Sequence, residues 1–476
     1  MNAILTFLKN ILSLDNSESE VFESEVFDVI DKKHAGAVVI ARPAHCVSRK
    51  QVNENALKVL YRLRKEGFDS YLVGGCVRDL LLGREPKDFD VVTNAEPEQI
   101  ARIFSNCRLI GKRFRLAHVC YGRDVIEVAT FRKAISDDKT QTPRLNKDGR
   151  LLQDNIYGTI EEDVWRRDFT INALYYNIRD FSIVDYVGGM DDHREGIIRL
   201  IGDAGERFRE DPVRMLRAVR FAVKLAFRLD HDCQAAIAPN AHLLAGIPPA
   251  RLYDEISKLF LTGYGVQTFE LLRQHGLFSV LFPATDKSLM YEKADFPKMM
   301  VIKALGNSDQ RIADNKPVTL YFLIAALLWE PMLRRAKEKI AKGLPESNAY
   351  YEAASETLTQ QVRRIAIPRH LTLAIREVWN LQPKFNARVG AKPSRLLTHP
   401  RFRAAYDFLV LRAQTGDVPL DVVQWWETYQ HENENTQRKM TQPQANEKSN
   451  KPKRKRTHRK KMKTSPVTPP PSAHDQ

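Results

Sequence analysis

Cysteine is scarce in this chain: five residues in 476 (Cys46, Cys76, Cys107, Cys120 and Cys233), with no CxxC pair and no short His/Cys cluster. That spacing argues against a zinc module and a disulfide framework, and it fits a reducing, cytoplasmic setting. Long hydrophobic runs are missing as well. The longest, Val318 to Trp329, spans about a dozen residues between polar flanks. A membrane helix needs ~20, so this run predicts a buried helix. The amphipathic stretch Ala3 to Leu14 has a single lysine, Lys9, lacks a small-residue cleavage site and is followed by acids. It reads as a loosely ordered terminal helix rather than a signal peptide, with membrane contact left open. Acids are in deficit, 59 against 74 lysines and arginines, for a net charge of +15. A surplus of that size favours a polyanionic partner such as nucleic acid or an anionic surface. Hydrophobic residues almost vanish after Glu432. Residues 451–463 carry nine lysines and arginines and no acid, a composition that cannot bury enough apolar area to fold alone.

What remains is organised in blocks. Residues 1–52 form an N-terminal extension, acidic in part, with little fixed structure expected over 1–45. Residues 53–200 read as an α+β unit with a mixed sheet. Ala56, Leu57, Leu60 and Leu63 have helical spacing, and Gly67 stops that helix. Tyr71 to Val73 read as a strand, Val77 to Leu82 as a helix entered from Gly74-Gly75, and Asp88 to Val92 as a second strand. Asn94 is a candidate N-cap for the helix that follows. Further strands are expected at Cys107 to Ile110, Ala117 to Tyr121 and Val125 to Phe131, then a polar loop from about Lys133 to Asp154. From about residue 201 the signals are almost purely helical, with faces such as Met215, Leu216, Val219, Ala222, Val223 and Ala226, and helices expected over Leu320 to Ala336 and His399 to Ala413. The expected units are 201–285, 286–432 and a disordered basic tail at 433–476.

The constellation richest in chemistry is Gly74-Gly75-Cys76-Val77-Arg78-Asp79 followed by Asp88-Phe89-Asp90. A strand runs through two glycines into a helix whose N-terminus can meet an anion. Arg78, in the first turn, could fork onto phosphate oxygens. Asp88 and Asp90 are two apart on a strand, so both face the same way, with Phe89 turned to the core. Two such carboxylates suit Mg²⁺ shared with substrate phosphates, and a third would allow a two-ion site for nucleotidyl transfer. Glu127 and Asp168 are both candidates for the third. Taken singly, these motifs are no more than a turn and a solvated strand face; their order and spacing carry the argument.

The segments Tyr71 to Gly83, Pro86 to Thr93, Glu127 to Arg132, Arg166 to Leu174 and Glu210 to Arg217 resemble, in this order, the head and neck of the class II template-independent RNA nucleotidyltransferases. That family holds the bacterial poly(A) polymerases and the tRNA CCA-adding enzymes. The resemblance covers about Asn53 to Phe282. It implies a nucleotidyltransferase head (53–200), a helical neck (201–285), a helical body and tail (286–432), and untemplated addition of AMP from ATP to RNA 3′ ends with release of pyrophosphate. It implies catalytic roles for Asp88, Asp90 and Asp168, with Mg²⁺ on Asp88 and Asp90. Nucleotide contacts fall to Gly74, Gly75, Arg78, Arg167, Asp211, Arg214 and Arg217, with Asp211 and Arg214 reading the base edge.

Within the group, Leu109 to Val119 is similar to a segment that marks the poly(A) polymerases, and Arg395 to Phe408 is similar to their arginine-rich C-terminal region. RNA contacts are therefore expected from Lys112, Arg113, Arg115, Arg401 and Arg403. The tail residues Lys453, Arg454, Lys455, Arg456, Arg459, Lys460 and Lys461 are expected to act as a salt-sensitive clamp. Partners implied are ATP, RNA and RNA-decay proteins, and not DNA. A CCA-adding enzyme would share every head motif, and a non-catalytic RNA-binding protein on the same scaffold is the rival of another class. His118 and the other histidines show no ligand spacing.

Overall fold

The computed structural model describes residues 36–111, 115–133, 157–290 and 296–442. An eight-stranded sheet organises the first half. Its strands are β1 (Val38–Ile40), β2 (Ser70–Val73), β3 (Asp90–Thr93), β4 (Cys107–Ile110), β5 (Leu116–Tyr121), β6 (Asp124–Thr130), β7 (Leu174–Asn177) and β8 (Ile183–Asp185). They lie in the order β1-β8-β7-β2-β3-β6-β5-β4. Every neighbouring pair is antiparallel except β3 and β6. That parallel pair needs a crossover, supplied by the Pro97–Ile103 helix and the β4–β5 hairpin.

Alternation along the strands splits the sheet into two faces. Leu72, Val91, Ile126 and Val128 pack under three helices through Ala56, Val59, Leu60, Val77 and Ile100. Their neighbours Tyr71, Val73, Val92 and Tyr175 form a smaller core on the opposite face with Val164 and Ile201. The Glu54–Lys65 helix forms as its spacing predicts. Asn53 caps it by accepting from the Asn55 and Ala56 amides, and Gly67, at φ +86°, turns the chain away.

Three expectations need correction. Val38–Ile40, placed in a segment expected to lack fixed structure, is an edge strand on β8; three residues are too few for an alternation signal. Asn94 is not an N-cap: its Oδ1 accepts from the Asp69 amide at 2.8 Å, and Glu96 caps the next helix in a reciprocal box with Gln99. The helix expected over Leu320 to Ala336 is two helices, Leu320–Leu327 and Trp329–Ala341, broken at Leu328. Pro331 explains the break, because its ring would meet the Leu327 carbonyl in a continuous helix.

The second half is helical. One large core joins Phe169 and Ile171 from the head to Met215, Val219 and Phe221 of the Val213–Leu225 helix and runs on to Trp329 and Trp379. A separate aromatic core of Phe385, Phe402, Tyr406, Trp426 and Tyr429 holds the C-terminal helices. Among the described residues, no helix is long and apolar enough to cross a membrane. The expected polar loop, at 134–154, lies outside the described residues, as do residues 1–35 and the tail beyond 442.

Candidate active site

The site forms where β2 ends. Val73 pairs with Asp90 on β3, and Asp90 pairs in parallel register with Glu127 on β6. Glu127 in turn faces His118 on β5, whose Nε2 lies 3.5 Å from Glu127 Oε1. Asp90, Glu127 and His118 therefore form a row across three strands, on the face away from the helices. Phe89 packs into the helix-side core, as its place between two acids predicts. Asp88, just before β3, is exposed.

Gly74 caps the Gly75–Leu81 helix at φ +81° and ψ −138°. L side chains rarely adopt that conformation. A Cβ on Gly74 would stand 3.7 Å from Asp90 Oδ2, so the missing side chain leaves room for a ligand beside the carboxylate.

The electrostatics of Asp90 mark it out. It is exposed on the sheet surface, yet crowding by the protein, with Glu127 and Asp88 adding negative charge, pushes its carboxyl up to about 6 against the pull of Arg167. Asp90 and Glu127, with Asp88 just ahead of the strand, are oxygen donors of the kind that suits a hard dication shared with phosphates. Among the described residues, no three His, Cys, Asp or Glu side chains are grouped closely enough to hold an ion by themselves.

Asp168 is placed otherwise. Its Oδ2 accepts Nε of Arg217 at 2.7 Å and also Nη2, while Oδ1 accepts the Phe169 amide at 2.8 Å and Asn172 Nδ2 at 3.2 Å. Burial alone would raise this carboxyl, but Arg217 and these hydrogen bonds hold it below the usual range. Its oxygens are occupied by the protein, whereas Glu127 stands open beside Asp90. Arg217, expected among the nucleotide contacts, turns instead to Asp168.

Arg78, expected to fork onto phosphate, has its guanidinium held within the protein. The guanidinium is buried, with Nε and Nη2 on Asp79 Oδ1 at 2.9 and 2.6 Å and Nη1 on Asn172 Oδ1 at 2.7 Å. It lies 5.1 Å from the Phe221 ring centre, which Arg217 and Arg220 also approach at 5.5 and 4.6 Å. Three cations share one aromatic ring at the junction of head and neck.

Arg166 and Arg167 are organised by Asp163, a fully buried acid that the motif reading did not single out. Asp163 Oδ2 accepts Arg167 Nη2 and Tyr175 Oη, both at 2.8 Å, and Oδ1 accepts Arg166 Nε at 2.8 Å. Burial would raise Asp163, but the two arginines outweigh it and hold it low. Its signal was present in the sequence: an acid three and four residues ahead of two arginines, which here fall at the end of the Ile160–Trp165 helix.

On the neck, Glu210 Oε2 accepts both Arg207 Nη1 and Arg214 Nη1 at 2.6 Å. Arg207 also donates to the Arg167 carbonyl at 2.6 Å, tying neck to head. Asp211 accepts Arg251 Nη2 at 2.6 Å. Of the pair expected to read the base, Arg214 is thus held by Glu210, the acid four positions ahead of it, and Asp211 by Arg251, which was assigned no such task in advance; Arg251 is forty positions from Asp211, beyond any local pattern. Of the expected RNA contacts, Arg115 pairs with Glu98, Arg401 with Glu377 at 3.1 Å and Arg403 with Asp407 at 3.1 Å. Lys112, Arg113, Lys453, Arg454, Lys455, Arg456, Arg459, Lys460 and Lys461 lie outside the described residues.

Paired carboxylates on a mixed sheet, a glycine turn beside them and a helical neck locked to the head place the chain among the nucleotidyltransferases. Comparison with known proteins narrows the class. Residues 70–199 match the poly A polymerase head domain, residues 226–289 a region described as "Probable RNA and SrmB- binding site of polymerase A", and residues 342–461 the polymerase A arginine-rich C-terminus. Poly(A) polymerase I of Salmonella typhi is 46% identical over 90% of this chain and 91% of its own length. The Escherichia coli O157:H7 protein of the same name is 48% identical over 90% and 91%. The chain belongs to the poly(A) polymerase I family. CCA-adding enzymes are more distant: that of Geobacillus kaustophilus is 37% identical over 48% of this chain and 54% of its own. Among solved structures, the Bacillus stearothermophilus CCA-adding enzyme in complex with CTP superposes with a TM-score of 0.52 at 28% identity, covering 78% of this chain and 80% of that one. The Thermotoga maritima CCA-adding enzyme gives 0.56 at 20% identity over 85% and 90%, which speaks to the fold.

Proposed function

We propose that the chain is a polynucleotide adenylyltransferase that extends RNA 3′ ends with AMP from ATP, without a template. The observation that carries this reading is the open row of Asp90 and Glu127, with Asp88 ahead of it, beside the Gly74 turn. Membership of the poly(A) polymerase I family supports it. The RNA 3′-hydroxyl oxygen attacks the α-phosphorus of ATP, the α–β bridging P–O bond breaks, pyrophosphate leaves and the hydroxyl proton passes to solvent. Mg²⁺ bound by Asp88 and Asp90, with Glu127 as the neighbouring acid, would supply charge neutralisation at the triphosphate. Gly74 and Gly75 leave room for the phosphates. Asp163 and Tyr175 hold Arg167 near Asp90 as a fixed cation. Asp168 acts as a positioning residue, anchoring Arg217 and Asn172 and thereby the neck against the head. Asp211 and Arg214, each held by an oppositely charged neighbour, offer an acceptor and a donor to the adenine edge. The tail and Arg115, Arg401 and Arg403 add RNA contacts, and the reaction takes place in the cytoplasm, where RNA-decay proteins are candidate partners.

The test offers purified protein, Mg²⁺ and single nucleotides to two RNAs, an unstructured A-ended oligomer and a tRNA lacking its CCA end. Long ladders on the oligomer with ATP alone are expected. Two C additions and then one A, on the tRNA alone, would move the chain to the CCA-adding group. No extension of either by folded protein would leave only RNA binding.

A further inference from the structure

The arginines expected to grip RNA in the C-terminal half are not its uncompensated cations. Arg401 and Arg403 each have an acid 3.1 Å away. Beside them, between the start of the Glu346–Arg364 helix and the Lys392–Leu397 helix, lies an open cleft of about 410 Å³ floored by Leu381, Pro383 and Leu396. Lys384, Lys392 and Arg395 line it, all exposed, and none of the three makes an ion pair among the described residues. Glu346 is the one acid in the lining. Desolvated neither by burial nor by a partner, these three cations are free to neutralise phosphates.

A second feature adjoins the cleft. Ser347 lines it, and Tyr351, one turn further along the same helix, is 53% exposed. The Arg376 guanidinium stands 5.4 Å from the centre of that ring. Arg376 belongs to the Arg369–Leu381 helix, whose last residue is on the cleft floor. A rigid exposed aromatic braced by an arginine, next to an apolar-floored basic groove, has the two parts that single-stranded nucleic acid requires: cations that follow the backbone and a π-face on which a base stacks.

We infer that the Lys384–Lys392–Arg395 cleft with Tyr351 binds the single-stranded RNA upstream of the 3′ end being extended. The inference rests on the RNA-extending reading above and gives that reading a second anchor on RNA, away from the carboxylates. Such an anchor serves long substrates and leaves short ones indifferent.

The experiment uses the full chain and labelled A-ended oligoribonucleotides of about 5 and about 30 nucleotides. Binding is measured by fluorescence anisotropy across a salt series, and extension of the 5-mer with ATP is followed in parallel. The triple variant Lys384→Ala/Lys392→Ala/Arg395→Ala is expected to weaken 30-mer binding roughly 10- to 50-fold and to reduce the log–log salt slope by about 2, from ~0.7 per lost phosphate contact. Tyr351→Ala is expected to weaken it about 5-fold or more with the slope unchanged, and Tyr351→Phe to restore it. Lys384→Arg/Lys392→Arg should bind as the unaltered chain does. Extension of the 5-mer and the melting temperature should not change. Unchanged 30-mer affinity and slope in the triple variant would overturn the cleft, and so would an equal loss for both RNAs, or capture of an acidic polypeptide in preference to RNA. If the unaltered chain fails to extend the 5-mer, the adenylyltransferase reading fails by itself, while the 30-mer comparison still judges the cleft.

Discussion

Asp168 in the head and Arg217 on the Val213–Leu225 helix, 49 positions apart in the chain, form a two-donor ion pair that fastens the catalytic sheet to the helical neck. The acid is 12% exposed, and its remaining oxygen is taken by the Phe169 amide and Asn172. Any nucleotide held between the carboxylates of the sheet and the neck residues Asp211 and Arg214 is held by two bodies that this bond, with the Arg207 contact to the Arg167 carbonyl, keeps in register.

Removing the bond from one side therefore damages structure and geometry together. Asp168→Asn is expected to cost about 2–4 kcal/mol, since it leaves Arg217 half-desolvated without its anion. Urea unfolding of the variant measures this. Because Asp168 is held below its ordinary value in the folded state, its contribution is present at neutral pH and is lost as pH falls through the folded value. The stability difference between the variant and the unaltered chain should therefore shrink below about pH 4.

Asp90 behaves in the opposite sense. Its folded carboxyl is raised to about 6, so its charge opposes folding above that pH and not below the ordinary carboxylate range. Thermal melts of metal-free Asp90→Asn at pH 8 should show a stability equal to or above that of the unaltered chain, with the gap narrowing below about pH 6 and closed only below about pH 4. A lower melting point at pH 8 would contradict the assigned environment.

The same residue should be indispensable to the reaction. Asp88→Asn and Asp90→Asn are each expected to lower AMP transfer more than 100-fold, equivalent to about 3 kcal/mol or more in transition-state stabilisation. RNA binding should stay intact. Divalent-ion affinity of the unaltered chain should fall as pH drops through about 6, because protons compete for the Asp90 carboxyl. Retention of more than a hundredth of the original rate would remove these acids from the chemistry.

Base choice is assigned to the neck. Arg214→Ala should lower the preference for ATP over CTP roughly 10- to 100-fold, through lost donors opposite the base edge. Arg251→Ala should act in the same direction more weakly by loosening Asp211, which it contacts at 2.6 Å. Single-nucleotide extension with each triphosphate checks both.

Gly74→Ala tests the turn. At φ +81° and ψ −138° a side chain is strained, at a cost of about 1–3 kcal/mol, and the added methyl group would point at Asp90 Oδ2. Loss of stability with a raised KM for ATP is expected. A variant with unchanged kinetics would show that the turn does not approach the nucleotide.

The chemistry was legible in the sequence because it is written locally. The Gly74-Gly75 turn, Asp90 on its strand and the inward Phe89 need only the periods of a strand and a helix, and each lies where those periods place it. So do β4, β5 and β6, and the helices carrying Ala56 and Met215. Asp88 stands just ahead of the strand, and Glu210 and Arg214 meet across a break between two helices, Ala204–Glu210 and Val213–Leu225. What only the tertiary structure decided are the partners. Glu127 came to stand beside Asp90 because β6 pairs with β3 in parallel across a crossover, a register no local pattern encodes. Arg78 and Arg217 look equally suited to phosphate in sequence. Folding buries the first against Asp79 and Asn172 and closes the second onto Asp168, because a guanidinium leaving water at the head–neck junction must find an acid. Val38–Ile40 becomes a strand only because β8 offers a free edge. Residue types and local periods thus determined which chemistry the chain holds, and long-range pairing of strands and charges decided which of those residues remain available to perform it.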